Sequence, residues 1–452
     1  MIDKNIFREY DIRGTYNVNL NEDVSYTIGR AFGSYIQNMN EYTCLVGHDN
    51  RLSSNDINAS LISGILSTGV NVIDLGLITT PMLYYARIYE NIYPSIMITA
   101  SHNPKDDNGF KMSFNNVSNA KGEEIYAFRD FLFKGNFKDG IGNLYKKDIK
   151  EDYFNLFKNT LHFGDRRLKV VIDCGNGVTS LYAKELYSMF NIDLISICDV
   201  SDGHFPSHHP DPVVEENLVM LKEKVKEVNA DIGISFDGDG DRAGFVDELG
   251  NTLPSDHYAV IMIRELLKNN ENKNILYDVK CSKIVNEEIV KQNGIPHEYR
   301  TGASYMMSKV IDDNMLFGIE YSGHIYFNNS FPPITSGFYA GLKLLEVMSK
   351  TNLKASELLG NVNKYYSTKE IKMEFNDNIK FEIINKVKEY ALSKNYDVLL
   401  IDGVKVKFND GWALIRCSNT GPNITLRFEA NTMDRLEEIK NEFINLLNSY
   451  KM

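Results

Sequence analysis

The chain has 452 residues, 43% hydrophobic and 24% charged, which is the profile of a globular protein with room for two to four domains. A net charge of −12 argues against nonspecific nucleic-acid binding, and no apolar run reaches the length that spans a bilayer. Five scattered cysteines (Cys44, Cys174, Cys198, Cys281, Cys417) lack CxxC spacing, and the start Met1-Ile2-Asp3-Lys4-Asn5 carries no secretory pattern, so reduced thiols in a cytoplasmic protein are expected.

Strand and helix patterns then alternate. Asn21 to Gln37 reads as an amphipathic helix with Ile28, Phe32, Tyr35 and Ile36 near one stripe. Cys44-Leu45-Val46 is a short buried strand, followed by a helix through Leu61, Ile62, Ile65 and Leu66 and a strand at Val72-Ile73-Asp74. The same grammar restarts at Lys169 to Asp173, with a helix expected after Cys174-Gly175-Asn176-Gly177, and again at Asn274 to Asp278. Three restarts predict three similar mixed α/β units whose ligands gather at the carboxyl ends of strands. The last part differs. Strands at Ile371 to Phe375, Asp397 to Ile401, Lys405 to Phe408 and Trp412 to Arg416 accompany helices at Phe381 to Ser393 and Met433 to Leu447. They predict a smaller C-terminal α+β domain, with a hairpin turn at Asn409-Asp410-Gly411. The predicted domains are 1–147, 148–250, 251–365 and 366–452.

The most informative stretch is Asp237-Gly238-Asp239-Gly240-Asp241-Arg242. In a straight strand its carboxylates would stand about 7 Å apart on one face. A glycine-rich loop lets them converge, and converging anions call for a cation such as Mg²⁺, which prefers oxygen. An EF-hand is excluded, because its sixth position is Arg242 rather than glycine and its flanks read as strands. An aspartate nucleophile of the haloacid-dehalogenase type and a solvated acidic turn are the other readings.

Thr99-Ala100-Ser101-His102-Asn103-Pro104 follows the apolar strand Ser95 to Ile98. Ser101 is either a turn serine bonded to its own backbone or a nucleophilic, phosphorylated one. Neighbouring side chains rarely face each other, so no dyad with His102 is expected. Arg416-Cys417-Ser418-Asn419-Thr420-Gly421-Pro422 with Arg427 offers donors for a phosphate or forms an ordinary polar loop. Gly318-Ile319-Glu320-Tyr321-Ser322-Gly323-His324 suits neighbouring sugar hydroxyls, although His324 also fits a hydrogen-bonded loop histidine.

Along the chain these are a serine loop, a metal loop, a sugar loop and a phosphate loop, and in that order they resemble those of the α-D-phosphohexomutase superfamily, most of all its phosphomannomutase/phosphoglucomutase branch. Further matching stretches are Phe7 to Gly14, Asn108-Gly109-Phe110-Lys111, His208-His209-Pro210-Asp211-Pro212 and Arg427-Phe428-Glu429-Ala430. The resemblance covers nearly the whole chain and implies four domains around a central cleft. It implies a phosphohexomutase that interconverts hexose 1-phosphate and hexose 6-phosphate, of mannose, glucose or both. A phosphoserine at Ser101 and a 1,6-bisphosphate intermediate would carry the reaction. Mg²⁺ would be held by that phosphate with Asp237, Asp239 and Asp241, and hexose 1,6-bisphosphate would activate the enzyme. Lys111 would be the general acid/base, with His102 and Arg242 beside it. Glu320 and Ser322 would bind sugar hydroxyls. Arg416, Ser418, Asn419, Thr420 and Arg427 would hold the idle phosphate, with Tyr10, Arg13, Lys280 and His324 as further substrate contacts.

A phosphoserine with three carboxylates amounts to about −5, more than one Mg²⁺ balances, and Arg242 and Lys111 fit that need. The sequence departs from the branch at Ala303, where histidine is usual, so that a substrate contact is either lost or replaced by a neighbour such as Ser304 or Tyr305, and at Ile319, where glycine is usual before Glu320. The partners expected are small sugar phosphates, with no nucleic acid and no membrane, for a monomer or homodimer. The alternatives are a phosphoglucosamine mutase, a metal-dependent sugar phosphatase and a noncatalytic sugar-phosphate binder.

Overall fold

A computed structural model describes residues 2–376, 379–418 and 423–451. The chain divides into two compact units: residues 1–255, 307–314 and 322–358 form the first, and residues 256–306, 315–321 and 359–452 the second. No helix among the described residues is long and apolar enough to cross a membrane.

The first unit holds two mixed sheets. One runs in the order Ile12–Thr15, Asp107–Ser113, Ser95–Ile98, Thr43–His48, Asn71–Leu77, Leu144–Lys146. The other runs Thr252–Leu253, Ala243–Asp247, Ile232–Phe236, Leu168–Asp173, Ile192–Ile197. The second unit holds three parallel strands, with Asn274–Asp278 between Phe317–Ile319 and Ile295–Tyr299. Three times, therefore, a first strand sits centrally, a second pairs on one side and a third on the other, all parallel. Central strands buried on both faces need unbroken apolar runs, which is what Cys44 to Val46, Val170 to Ile172 and Ile275 to Leu276 supply.

Each central strand ends at an aspartate that closes the same turn. Asp49 accepts the backbone N–H of Arg51 (3.0 Å), Asp173 that of Gly175 (2.9 Å) and Asp278 that of Lys280 (3.1 Å).

The last sheet is antiparallel, in the order Tyr366–Ser367, Asn423–Ala430, Gly411–Cys417, Val404–Phe408, Asp397–Leu399, with Ile371–Glu374 also paired to Asn423–Ala430. Helices Lys380–Ser393 and Met433–Ser449 cover it, seating Ile383, Val387 and Ala391, and Ile439, Phe443 and Leu447, in its core. The hairpin turn falls at Asn409-Asp410, since Phe408 pairs with Gly411.

One expectation changes. After Gly177 comes a 3₁₀ turn, Val178–Leu181, and a helix of only five residues, Ala183–Tyr187. Asp107–Ser113 and Asn423–Ala430 are two further strands, each paired on both sides.

Candidate active site

Ser101 stands in the loop after the third strand of the first repeat, with a φ of +50°. Such left-handed backbone costs a non-glycine residue about 1–3 kcal/mol and persists only where its surroundings enforce it. The Thr99 hydroxyl helps by accepting the Ser101 N–H at 2.8 Å. The twist also brings the Ser101 hydroxyl and His102 Nδ1 to 3.5 Å, the outer limit of a hydrogen bond and too long to make a dyad of them.

Asp237 to Arg242 occupy the equivalent loop of the second repeat, at the turn of the antiparallel hairpin Ile232–Phe236 and Ala243–Asp247. Both glycines are needed there. Gly240 has a φ of +79°, and a Cβ on Gly238 would lie 2.5 Å from the Ser101 carbonyl oxygen. The three aspartates are buried, and one ligand atom from each lies within 4.8 Å of the others. The Ser101 hydroxyl donates to Asp237 at 2.8 Å and accepts from Arg242 Nη2 at 3.3 Å. Arg242 Nε donates to Asp237 at 3.0 Å. Lys111 reaches in from Asp107–Ser113 to donate to Asp239 (2.7 Å) and Asp241 (2.6 Å).

Three carboxylates thus touch two fixed cations. Burial, then the neighbouring Asp239, pushes the Asp237 carboxyl up to about 8. Burial also opposes the charge on Asp239 and Asp241, but Lys111 brings Asp239 below the usual carboxylate range, and Lys111 with His324 brings Asp241 well below it. Burial likewise opposes the Lys111 ammonium, but the two aspartates hold it well above the usual lysine range. One oxygen each of Asp239 and Asp241 is buried without a hydrogen-bond partner. An all-oxygen set with acceptor capacity left over and excess negative charge fits a hard divalent cation.

Other predicted residues surround this group. His324 Nε2 lies 3.4 Å from Asp241, and its Nδ1 lies 3.0 Å from the Ser322 hydroxyl. The Ser322 carbonyl is 3.4 Å from Arg242 Nη1. Arg13 pairs with Asp11 at 2.7 Å and is also drawn by the charge of Asp239, with half-buried Tyr10 nearby.

Sequence reasoning missed three neighbours. Thr80 donates its hydroxyl to Asp239 (2.6 Å) and its N–H to the Asp239 carbonyl (2.9 Å). Asp211 lies 3.7 Å from Arg242 and 4.0 Å from His102. Arg51 is buried under the serine loop. Only Asp211, within His208 to Pro212, had a sequence signal. Asp173, Cys198 and His208 also gather ligand atoms, but the His208 ring already meets Asp173 (2.9 Å) and the His209 carbonyl (3.0 Å), so these donors satisfy one another.

The second unit carries a basic group. Lys280 pairs with Glu370 at 3.1 Å, and its carbonyl accepts from Arg427. Lys280 first, and Arg416 and Arg427 with it, draw the Glu370 carboxyl below its usual range. Arg416 Nε donates to Asp402 at 2.9 Å, while Arg427 stacks 3.7 Å from the Tyr321 ring centre and lies 3.8 Å from Asp256. Glu320, 1% exposed, accepts the Gly302 N–H at 2.7 Å. Ala303 opens the helix Ala303–Asp312, with Ser304 buried and the Tyr305 ring centre 3.8 Å from Arg300. Buried Ser418 accepts Lys380 on its carbonyl at 2.9 Å. Asn419 and Thr420 lie outside the described residues.

Four family models match in sequence. Phosphoglucomutase/phosphomannomutase α/β/α domains I, II and III match residues 4–138, 145–250 and 254–365, and the C-terminal domain matches 370–446. A phosphomannomutase/phosphoglucomutase of Pseudomonas syringae pv. tomato is 39% identical, across 97% of this chain and 94% of its own length. A phosphoglucomutase of Neisseria meningitidis serogroup A is 35% identical, across 99% and 98%. Among solved structures, a phosphoglucomutase/phosphomannomutase family protein from Burkholderia thailandensis superposes with a TM-score of 0.93 at 33% identity, covering 100% of this chain and 98% of that one.

Proposed function

The chain belongs to the phosphoglucomutase/phosphomannomutase family, and on that premise we propose how its residues interconvert hexose 1-phosphate and hexose 6-phosphate, of mannose, glucose or both. It is an enzyme, a phosphohexomutase that moves a phosphoryl group within one sugar. One observation carries the assignment of roles: the Ser101 hydroxyl touches Asp237 inside a buried acidic group that Lys111 and Arg242 leave incompletely neutralised.

Ser101 carries the phosphoryl group. The free hydroxyl of the bound sugar phosphate attacks it, so that the new O–P bond forms as the bond to Ser101 Oγ breaks. Lys111 exchanges the proton of that hydroxyl. It is held as an ammonium by Asp239 and Asp241, so it first gives its own proton to water before taking that of the hydroxyl, and a cation sharing those carboxylates would ease that loss. Arg242 steadies the transferring group, and His102 borders it. Mg²⁺, held by Asp237, Asp239, Asp241 and the Ser101 phosphate, would neutralise charge on the oxygens in flight. The 1,6-bisphosphate then turns end for end and returns its other phosphate to Ser101, and added hexose 1,6-bisphosphate primes the cycle. Glu320, Ser322 and His324 bind sugar hydroxyls. Arg416, Ser418, Asn419, Thr420 and Arg427 hold the idle phosphate, aided by Lys280, Arg13 and Tyr10. The domains run 1–147, 148–250, 251–365 and 366–452, in a cytoplasmic monomer or homodimer.

The test is isomerisation of mannose, glucose and glucosamine 1-phosphates with Mg²⁺ and hexose 1,6-bisphosphate, followed with and without EDTA. Mannose or glucose phosphate is expected to turn over fastest, and chelation is expected to stop it. Free phosphate released faster than isomer forms would replace this reading with a phosphatase.

A further inference from the structure

We propose that Arg51 is the positioning residue of the phosphoryl-carrying loop, an inference that rests on the reading of Ser101 as the carrier. Arg51 is 2% exposed. Its guanidinium donates to the carbonyl oxygens of Ser101 (2.8 Å), Asn103 (2.7 Å), Pro104 (2.6 Å) and Asp107 (2.9 Å). Asp49 lies 3.2 Å from its Nε and the Phe205 ring centre 5.3 Å from its Cζ.

Buried carbonyls that turn toward one point need donors there, and their dipoles repel until a cation joins them. A rigid guanidinium fork supplies donors in a fixed plane, whereas a lysine would supply one compact charge. The loop so gathered holds Ser101 in its left-handed conformation, with its hydroxyl on Asp237 and Arg242. Without the fork the strained residue is free to relax, and the hydroxyl leaves its place. The residues around Arg51 are equally fixed, since a Cβ on Gly203 would lie 2.5 Å from the Asn50 carbonyl and 3.1 Å from the Arg51 Cα. Arg51 acts on the rate through Ser101, whereas binding of sugar phosphate falls to other residues.

The test compares wild type, Arg51→Ala, Arg51→Lys and Ser101→Ala, with turnover, Tm and phosphoryl loading from hexose 1,6-bisphosphate read by intact mass. Arg51→Ala is expected to lower kcat about 100-fold, the cost of about 1 Å of misplacement, with KM within about threefold. Millimolar guanidinium should recover about tenfold of that loss by restoring the missing fork. Arg51→Lys should fall between the two. A wild-type kcat, a KM that rises as kcat falls, or a folded Arg51→Ala that guanidinium does not rescue would overturn the proposal. Should Arg51→Ala fail to fold, Arg51→Lys decides: lowered kcat at constant KM supports the proposal, and any other pattern rejects it. Wild type that never gains a phosphoryl group lost in Ser101→Ala would instead refute the carrier reading. Wild-type loading rates in Arg51→Ala would refute the role of Arg51 alone.

Discussion

Asp237, Asp239 and Asp241 crowd three carboxylates around two cations, whereas Lys280, Arg416 and Arg427 each lie against an acid of their own, Glu370, Asp402 and Asp256. The first group carries an excess of negative charge that either a proton on Asp237 or a further cation removes. The second is locally balanced, so the phosphate proposed to bind there would have to trade places with carboxylates already present. Substitutions in the first group should act on rate, and substitutions in the second on affinity.

Four changes break or sharpen that contrast. Ser101→Ala should cut turnover by on the order of 10⁴-fold or more, the scale of losing a nucleophile. It should still bind sugar phosphate by calorimetry, and normal turnover would reject the transfer role. Lys111→Met should lower kcat by about 10²–10⁴-fold, the range of general acid–base catalysis, with little change in KM. Arg416→Ala should instead raise KM about 10- to 100-fold, because a hydrogen bond to a charged group contributes about 1.5–3 kcal/mol. An unchanged KM would remove Arg416 from the phosphate group. The smallest effect belongs to His208, which serves neither job. Burial alone would lower its imidazolium, but the hydrogen bond and charge of Asp173 raise it to about 10. That pair stabilises the fold fully below about pH 6.5, and the contribution is lost as pH rises through about 10. His208→Gln should therefore flatten the fall of Tm between pH 7 and pH 10, read by thermal melts. An equal fall in both proteins would refute the pair's contribution.

Much of this was legible in sequence because local patterns carried it. Apolar runs ending in Asp marked the central strands, and alternating Asp and Gly between two apolar runs marked the acidic hairpin. The rest depends on contacts that no local pattern encodes. Arg51 follows Asp49-Asn50 in what reads as a polar loop, and its carbonyl partners lie about fifty residues on. Thr80 serves Asp239 from 159 residues away. Ser101 and His102 diverge in extended backbone and approach each other only because φ turns positive.

The aspartate turn that closes each of the three central strands has its own consequence. It is sealed by a carboxylate that accepts the backbone N–H two places beyond, and that bond asks only for an N–H there, not for one kind of side chain. Arginine, glycine and lysine stand there in succession. One backbone position thus serves a different task in each repeat, and in the first it is the place from which Arg51 reaches the serine loop.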